Sequence, residues 1–107
     1  MTTHTDTEAE RIARFPGIEF RDNAAHRRAG LIGGLDVWEV VRDWKALDRD
    51  WHALREHLHW LTEDHLRTAL AYYAGYPNEI DERLAREHFW TPERVYEAYP
   101  FMKPAPR

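Results

Sequence analysis

From Val37 onward the apolar residues recur at helical spacing. Val37, Val40, Val41, Trp44 and Leu47 put a stripe on one helix, and Trp51, Leu54, Leu58 and Leu61 mark a second. Leu66, Ala69, Leu70, Tyr73 and Ala74 form the buried stripe of a third. Polar residues between the stripes say where each helix starts. Asp36 suits an N-cap, with Glu39 three residues on to complete a capping box. Asp48-Arg49-Asp50 breaks the pattern, and Asp50 caps the second helix. Thr62 caps the third, where Glu63 and Asp64 suit the positive N-terminal end. Gly75-Tyr76-Pro77 bends or ends that helix. Helical spacing resumes from Asn78 to His88 through Ile80 and Leu84. Thr91-Pro92-Glu93 opens a last short helix, with Pro92 at the tolerated first position. The tail from Pro100 to Pro106 reads as extended.

The N-terminal part follows another rhythm. Met1 to about Glu10 is polar and non-periodic, the signature of a flexible arm. Phe15-Pro16-Gly17 is a turn signal. Ile18-Glu19-Phe20 alternates as a short strand, Asp22-Asn23 turns the chain, and Arg28 to Ile32 returns, closed by Gly33-Gly34. A lone hairpin is marginal in water, so it lies on the helices or pairs with a second subunit. The expected fold is mainly α: a trihelical helix-turn-helix core with a short N-terminal β-hairpin and a C-terminal helical extension. The expected organisation is a flexible arm over 1–14, one domain over 15–88, and an aromatic C-terminal helix and tail over 89–107.

With 107 residues the chain holds one domain. Five Trp, five Tyr and four Phe are a rich aromatic endowment, useful for core area or for interface anchors. There is no cysteine, which excludes disulfides and thiolate metal sites and makes a reducing cytoplasm the expected home. No apolar run reaches transmembrane length, and the N-terminus has no signal-peptide core. A net charge of −4 argues against sequence-blind nucleic-acid binding, though not against a local basic patch on a dimer.

Candidate chemistry is sparse. The chain has no Ser and no Cys, its few Thr read as arm or cap residues, and no carboxylates pair by spacing. Catalysis and a cofactor are not expected. Gly33-Gly34 lacks the Lys-Ser/Thr of a phosphate loop. His52, Glu56 and His59 share one helical face, the geometry of metal ligands, but the face lies opposite the leucine stripe and reads as solvated polar surface, so no metal is expected. Arg27-Arg28 is the best local basic pair: it reaches phosphates or guanine edges, or it pairs with carboxylates such as Glu19. Phe89, Trp90, Tyr96 and Tyr99 concentrate apolar area where the core-forming helices are complete, and either pack on the chain's own core or a dimer mate, or anchor a protein interface.

Three stretches carry a family resemblance. Pro16 to Asp22 looks like an opening strand, and Arg27 to Val41 looks like an Arg-Arg, Gly-Gly, Asp-Val-Trp variant of a hairpin and first helix. The third runs from Leu61 to Ala74, followed by Tyr76-Pro77-Asn78-Glu79-Ile80-Asp81. In these, from Phe15 to about Arg83, the chain resembles domain-of-unknown-function family 433, related to antitoxins of the VapB type. The resemblance implies a winged-helix or homeodomain-like core, a homodimer, and the antitoxin half of a pair whose toxin looks like a PIN-type nuclease. Such antitoxins bind their toxin and repress their own operon. The family's commoner Gly-Thr-Arg turn is replaced here by Gly33-Gly34-Leu35-Asp36, and Glu63 and Asp64 open the helix expected to read DNA. The DNA-binding candidates are then Arg27, Arg28, Arg49, Arg55, Thr62 and Arg67, with His52, His65 and Thr68 nearby. The leading expectation is a dimeric, DNA-binding, antitoxin-like protein. The alternative is a protein-interaction module without DNA binding, and a small metal-dependent enzyme stands third.

Overall fold

The computed structural model describes residues 6–23, 26–89, 97 and 100–102. Helix α1 (Glu8–Arg14) leads into strands β1 (Ile18–Asn23) and β2 (His26–Leu31). Helices α2 (Val37–Ala46), α3 (Trp51–His57), α4 (Glu63–Gly75) and α5 (Pro77–Phe89) follow, and Pro100–Met102 forms a 3-10 turn. The described residues are therefore mainly helical, with one antiparallel hairpin.

Helix α1 occupies the second half of the stretch expected as an arm over 1–14. Thr7 caps it, its hydroxyl accepting the Glu10 N–H at 3.1 Å, with Glu8 and Glu10 in the first turn and Arg11 and Arg14 in the last. None of its residues is buried, so no apolar stripe announces it. Polar contacts to distant residues hold it instead.

The hairpin pairs Ile18 with Leu31, Phe20 with Ala29 and Asp22 with Arg27. Its strands run longer than the alternation suggested. Ile18, Ala29 and Leu31 are buried in the same core as the helices, so the hairpin lies on them. Gly33, at φ 71°, turns the chain toward α2 in a conformation that suits glycine.

The predicted helix starts hold. Asp36 precedes α2, and its N–H donates to Glu39 Oε1 at 3.1 Å. The Asp50 carboxylate accepts the Ala53 N–H at 3.1 Å, and the Thr62 hydroxyl accepts the His65 N–H at 3.1 Å. His65 supplies the return bond of that cap, its Nδ1 accepting the Thr62 N–H at 3.3 Å. The predicted stop at Gly75-Tyr76-Pro77 is the junction of α4 and α5. Helix α3 is shorter than expected: it ends at His57, and Leu58 and Leu61 reach the core from the following turn. Between α2 and α3, Asp48 and Arg49 take φ of 56° and 57°, the left-handed region.

The core joins Val37, Val40 and Val41 of α2, Leu54 of α3, Leu66, Ala69 and Tyr72 of α4 and Ile80 of α5. Helix α2 is central, packing on α3, α4, α5 and β2. The buried face of α4 is turned from the expected one: Tyr72 is fully enclosed, while Ala74 is exposed. The predicted helix at Thr91 lies outside the described residues, as do Trp90, Tyr96, Tyr99 and the side chain of Phe89, so the expected interface segment lies there with them.

Candidate interaction site

A chain that ends a hairpin beside a helix N-terminus brings arginines from the strands to a carboxylate at the cap. Asp36 is that carboxylate, and its side chain is 7% exposed. Arg21 Nη1 donates to its Oδ1 at 2.8 Å, Arg28 Nε and Trp38 Nε1 (the latter at 3.1 Å) donate to Oδ2, and Arg21 Nη2 reaches the Leu31 carbonyl. Arg21 lies across Gly30, where a Cβ would stand 2.6 Å from its Cζ. Arg21, not Arg28, also takes Glu19, its Nε donating at 2.9 Å. A buried carboxylate with three donors fixes the hairpin on α2.

A second network docks α1. Arg11 Nη1 donates to the Tyr72 hydroxyl at 2.8 Å and to Glu79 Oε1 at 2.6 Å, and Tyr72 donates to Glu79 Oε2 at 2.6 Å. Burial, reinforced by Glu79, raises the Tyr72 phenol well above its ordinary value. The Arg11 guanidinium lies 4.1 Å from the centre of the Tyr76 ring. Tyr76 donates to Asp6, which also takes Arg14 at 3.0 Å.

The structure sorts the predicted DNA-binding residues into three groups. Arg27 and Arg28 stand on β2. Arg27 is half-exposed and bound by Glu8 through two bonds, with Asp22 at 3.2 Å, while Arg28 is 20% exposed and committed to Asp36. Arg55, Thr62 and Arg67 come together around Glu63, which lies 3.6 Å from Arg55 Nη2 and accepts Arg67 Nε at 3.1 Å. Those bonds, led by Arg67, hold the Glu63 carboxyl below the usual range. Arg67 also faces the Trp51 ring at 5.2 Å, and Arg49 faces the Trp44 ring at 5.6 Å, apart from the others.

His52, Glu56 and His59 are all exposed and line a shallow depression of about 440 Å³ with Arg55, Leu61 and Glu63. Among the described residues no three His, Asp or Glu are placed to hold a metal ion. His57 Nε2 lies 3.2 Å from Asp43.

Sequence reasoning missed the company that α5 gives to the hairpin. Arg27, Arg28 and Ala29 face Glu79, Ile80, Arg83 and Arg86 across a narrow cleft, with Trp38 of α2 at its side. The spacing of Ile80, Arg83 and Arg86 was a signal: offsets of three put the two arginines beside a core residue. Trp38 is pinned by Asp36 and flanked by Arg83 at 5.1 Å and Arg42 at 5.4 Å. On its other side Trp38, Arg42 and Lys45 of α2 and Leu84, Ala85 and Glu87 of α5 line an open groove of about 570 Å³. Compared with known proteins, the chain matches no family model, no curated protein and no solved structure.

Proposed function

We propose that this chain is an antitoxin-like, protein-binding module that works as a homodimer and neutralises a PIN-like nuclease. The likeness to family 433 rests on the quoted motifs alone. One observation weights protein over DNA: four of the five arginines read as DNA contacts already bond or face the chain's own carboxylates, and Arg49 lies against the Trp44 ring. A duplex has to displace those carboxylates, and in exchange it offers phosphates of the same sign. Apolar contact has no such competitor, and Trp60 and Ile32 are more than half exposed.

The test is binding to the product of a neighbouring small nuclease gene, if one is encoded beside this chain, measured with nuclease inhibition. The expected result is a stable complex and loss of nuclease activity, with light scattering showing a dimer of the free chain. A monomer at high micromolar concentration that leaves the nuclease active overturns the reading.

A second reading is DNA contact in a trihelical helix-turn-helix arrangement of α2, α3 and α4. It is favoured by the gathering of Arg55, Thr62 and Arg67 at the start of α4. Under it, affinity for the promoter fragment falls steeply with salt, with a log–log slope set by the phosphates engaged. No binding at low salt, with or without the nuclease, removes it.

A further inference from the structure

The cleft between β2 and α5 has an unusual wall. Arg27, Arg28, Arg83 and Arg86 all line it, with Trp38 and Ile80 as apolar surfaces and Glu79 as the one carboxylate among the described lining residues. Like charges brought to one small enclosure repel, and the repulsion is relieved by an anion. Some relief comes from outside the cleft: Asp36 takes Arg28, Glu87 takes Arg83 at 2.9 Å, and Glu8 takes Arg27. It is incomplete. Among the described residues three buried side-chain nitrogens have no hydrogen-bond partner, and two of them, Arg28 Nη1 and Arg83 Nε, belong to residues of this cleft. Buried donors are nearly always satisfied, so such a pair marks a place where water or an ion belongs.

We infer that this cleft is a binding site for an oxoanion, and specifically for a terminal phosphoryl group on a small molecule or free phosphate. Three features fix that chemistry. The cavity holds about 40 Å³, the scale of one small tetrahedral oxoanion. Its donors come from opposite walls, strand and helix, which suits a group with oxygens pointing in several directions better than a planar carboxylate. They are guanidinium forks, which match phosphate geometry two bonds at a time. An enclosed cleft also disfavours the diester of a duplex, whose phosphates lie on a convex rod. The two unpartnered nitrogens are closed to solvent. An anion engages them only as Arg28 and Arg83 turn against their bonds to Asp36 and Glu87. Trp38 stays in place through its bond to Asp36 and holds Arg83 beside its ring.

Glu8 is the built-in competitor of this site. It binds Arg27 with Nε to Oε2 at 2.6 Å and Nη2 to Oε1 at 2.7 Å, the two-pronged contact a phosphoryl group makes. A ligand that takes Arg27 frees Glu8 and leaves α1 held through Arg11.

The experiment is a titration of the ¹⁵N-labelled full chain at fixed ionic strength with inorganic phosphate, then phenyl phosphate, then a short duplex at matched phosphate concentration. Saturable shifts are expected at the Trp38 indole N–H and the amides of Arg28, Arg83 and Arg86 with the first two. Glu8→Gln is expected to tighten binding roughly threefold, the scale of an exposed ion pair. Arg83→Gln and Arg86→Gln are each expected to weaken it about tenfold or more, the scale of a charge-assisted hydrogen bond. Amide spectra identify any variant that fails to fold, and Arg86, on the exposed side of α5, is the safer of the two. Linear shifts spread over the surface, or equal affinity in a folded Arg86→Gln chain, overturn the site and leave water as the partner of the two nitrogens. Displacement of phosphate by the duplex overturns the assignment to a terminal phosphoryl group.

Discussion

Glu8 and Arg27 stand 19 residues apart and meet through two hydrogen bonds, at 2.6 and 2.7 Å, which join α1 to the hairpin. Arg27 holds the Glu8 carboxyl below its ordinary value of 4.5. A carboxyl with a lowered folded value contributes stability above its unfolded value and loses it as pH falls. Amide protection in Glu8–Arg14 is therefore expected to drop below about pH 4.5 while core amides stay protected. Glu8→Gln is expected to remove that step. Hydrogen exchange followed by NMR measures both, and an α1 whose protection ignores pH and this substitution contradicts the pairing.

Asp36 offers the sharpest stability test. Replacing it by Ala leaves Arg21 and Arg28 facing each other across a nearly sealed site without their shared counter-charge. Breaking a buried pair from one side costs about 3–5 kcal/mol. Urea denaturation is expected to show a loss of this order for Asp36→Ala and a smaller one for Asp36→Asn, which keeps an acceptor. A loss below about 1 kcal/mol for the alanine variant means that the arginines find other acceptors.

Tyr72 is both core ring and hydroxyl hub. Removing only the oxygen, in Tyr72→Phe, keeps the packing against Phe15, whose ring centre is 5.5 Å away, and takes one partner each from Arg11 and Glu79, which keep their bond to one another. The expected cost is about 1–3 kcal/mol. Because the folded phenol titrates above its ordinary value of 10.0, its contribution is complete below pH 10 and declines as pH rises beyond it. Absorbance titration is expected to show one fewer late-ionising tyrosine in the variant than in the native chain, where Tyr76, raised by its bond to Asp6, also ionises late.

Gly30 tests close approach. A methyl group there meets the Arg21 guanidinium at 2.6 Å, so Gly30→Ala pushes Arg21 off Asp36. Overpacking of this kind costs about 1–3 kcal/mol. In an Arg21→Ala background the same substitution is expected to be nearly silent. Additive losses in that double-mutant cycle mean that the glycine matters for some other reason.

Much of the helical frame was legible because it is written locally. Asp36, Asp50 and Thr62 announce helix starts with side chains that bond two or three residues on, and Pro77 enforces the break after α4. The valine and leucine stripes likewise gave the core. What stayed hidden depends on partners distant in sequence. Helix α1 has no apolar face of its own and exists through Tyr72, Tyr76 and Glu79. The burial of Tyr72 follows from the same docking. The arginine pair at 27 and 28 was visible as chemistry, yet its two members part company. Arg28 turns to a carboxylate that sequence reading had used only as a helix cap, and Arg27 turns to the supposed arm. Arg83 and Arg86 were visible as charges on a helix, but nothing local says that a strand lies opposite them.

The way α1 is attached also orders events in time. The hairpin closes between neighbouring residues, and each helix from α2 to α5 has its cap or its packing partner close by. Beyond Glu8 to Arg27, 19 positions away, the bonds of α1 and of Asp6 before it run to residues 61, 68 and 70 positions away. Closing so long a loop has to wait until the distant ends are in place. On the ribosome, α1 is made before Tyr72, Tyr76 and Glu79, on which it docks. The docking of α1 on α4 and α5 therefore settles last, and until then Glu8 has only its nearer partner Arg27. A protein met during synthesis finds Tyr72 and Glu79 without the Arg11 that later joins them.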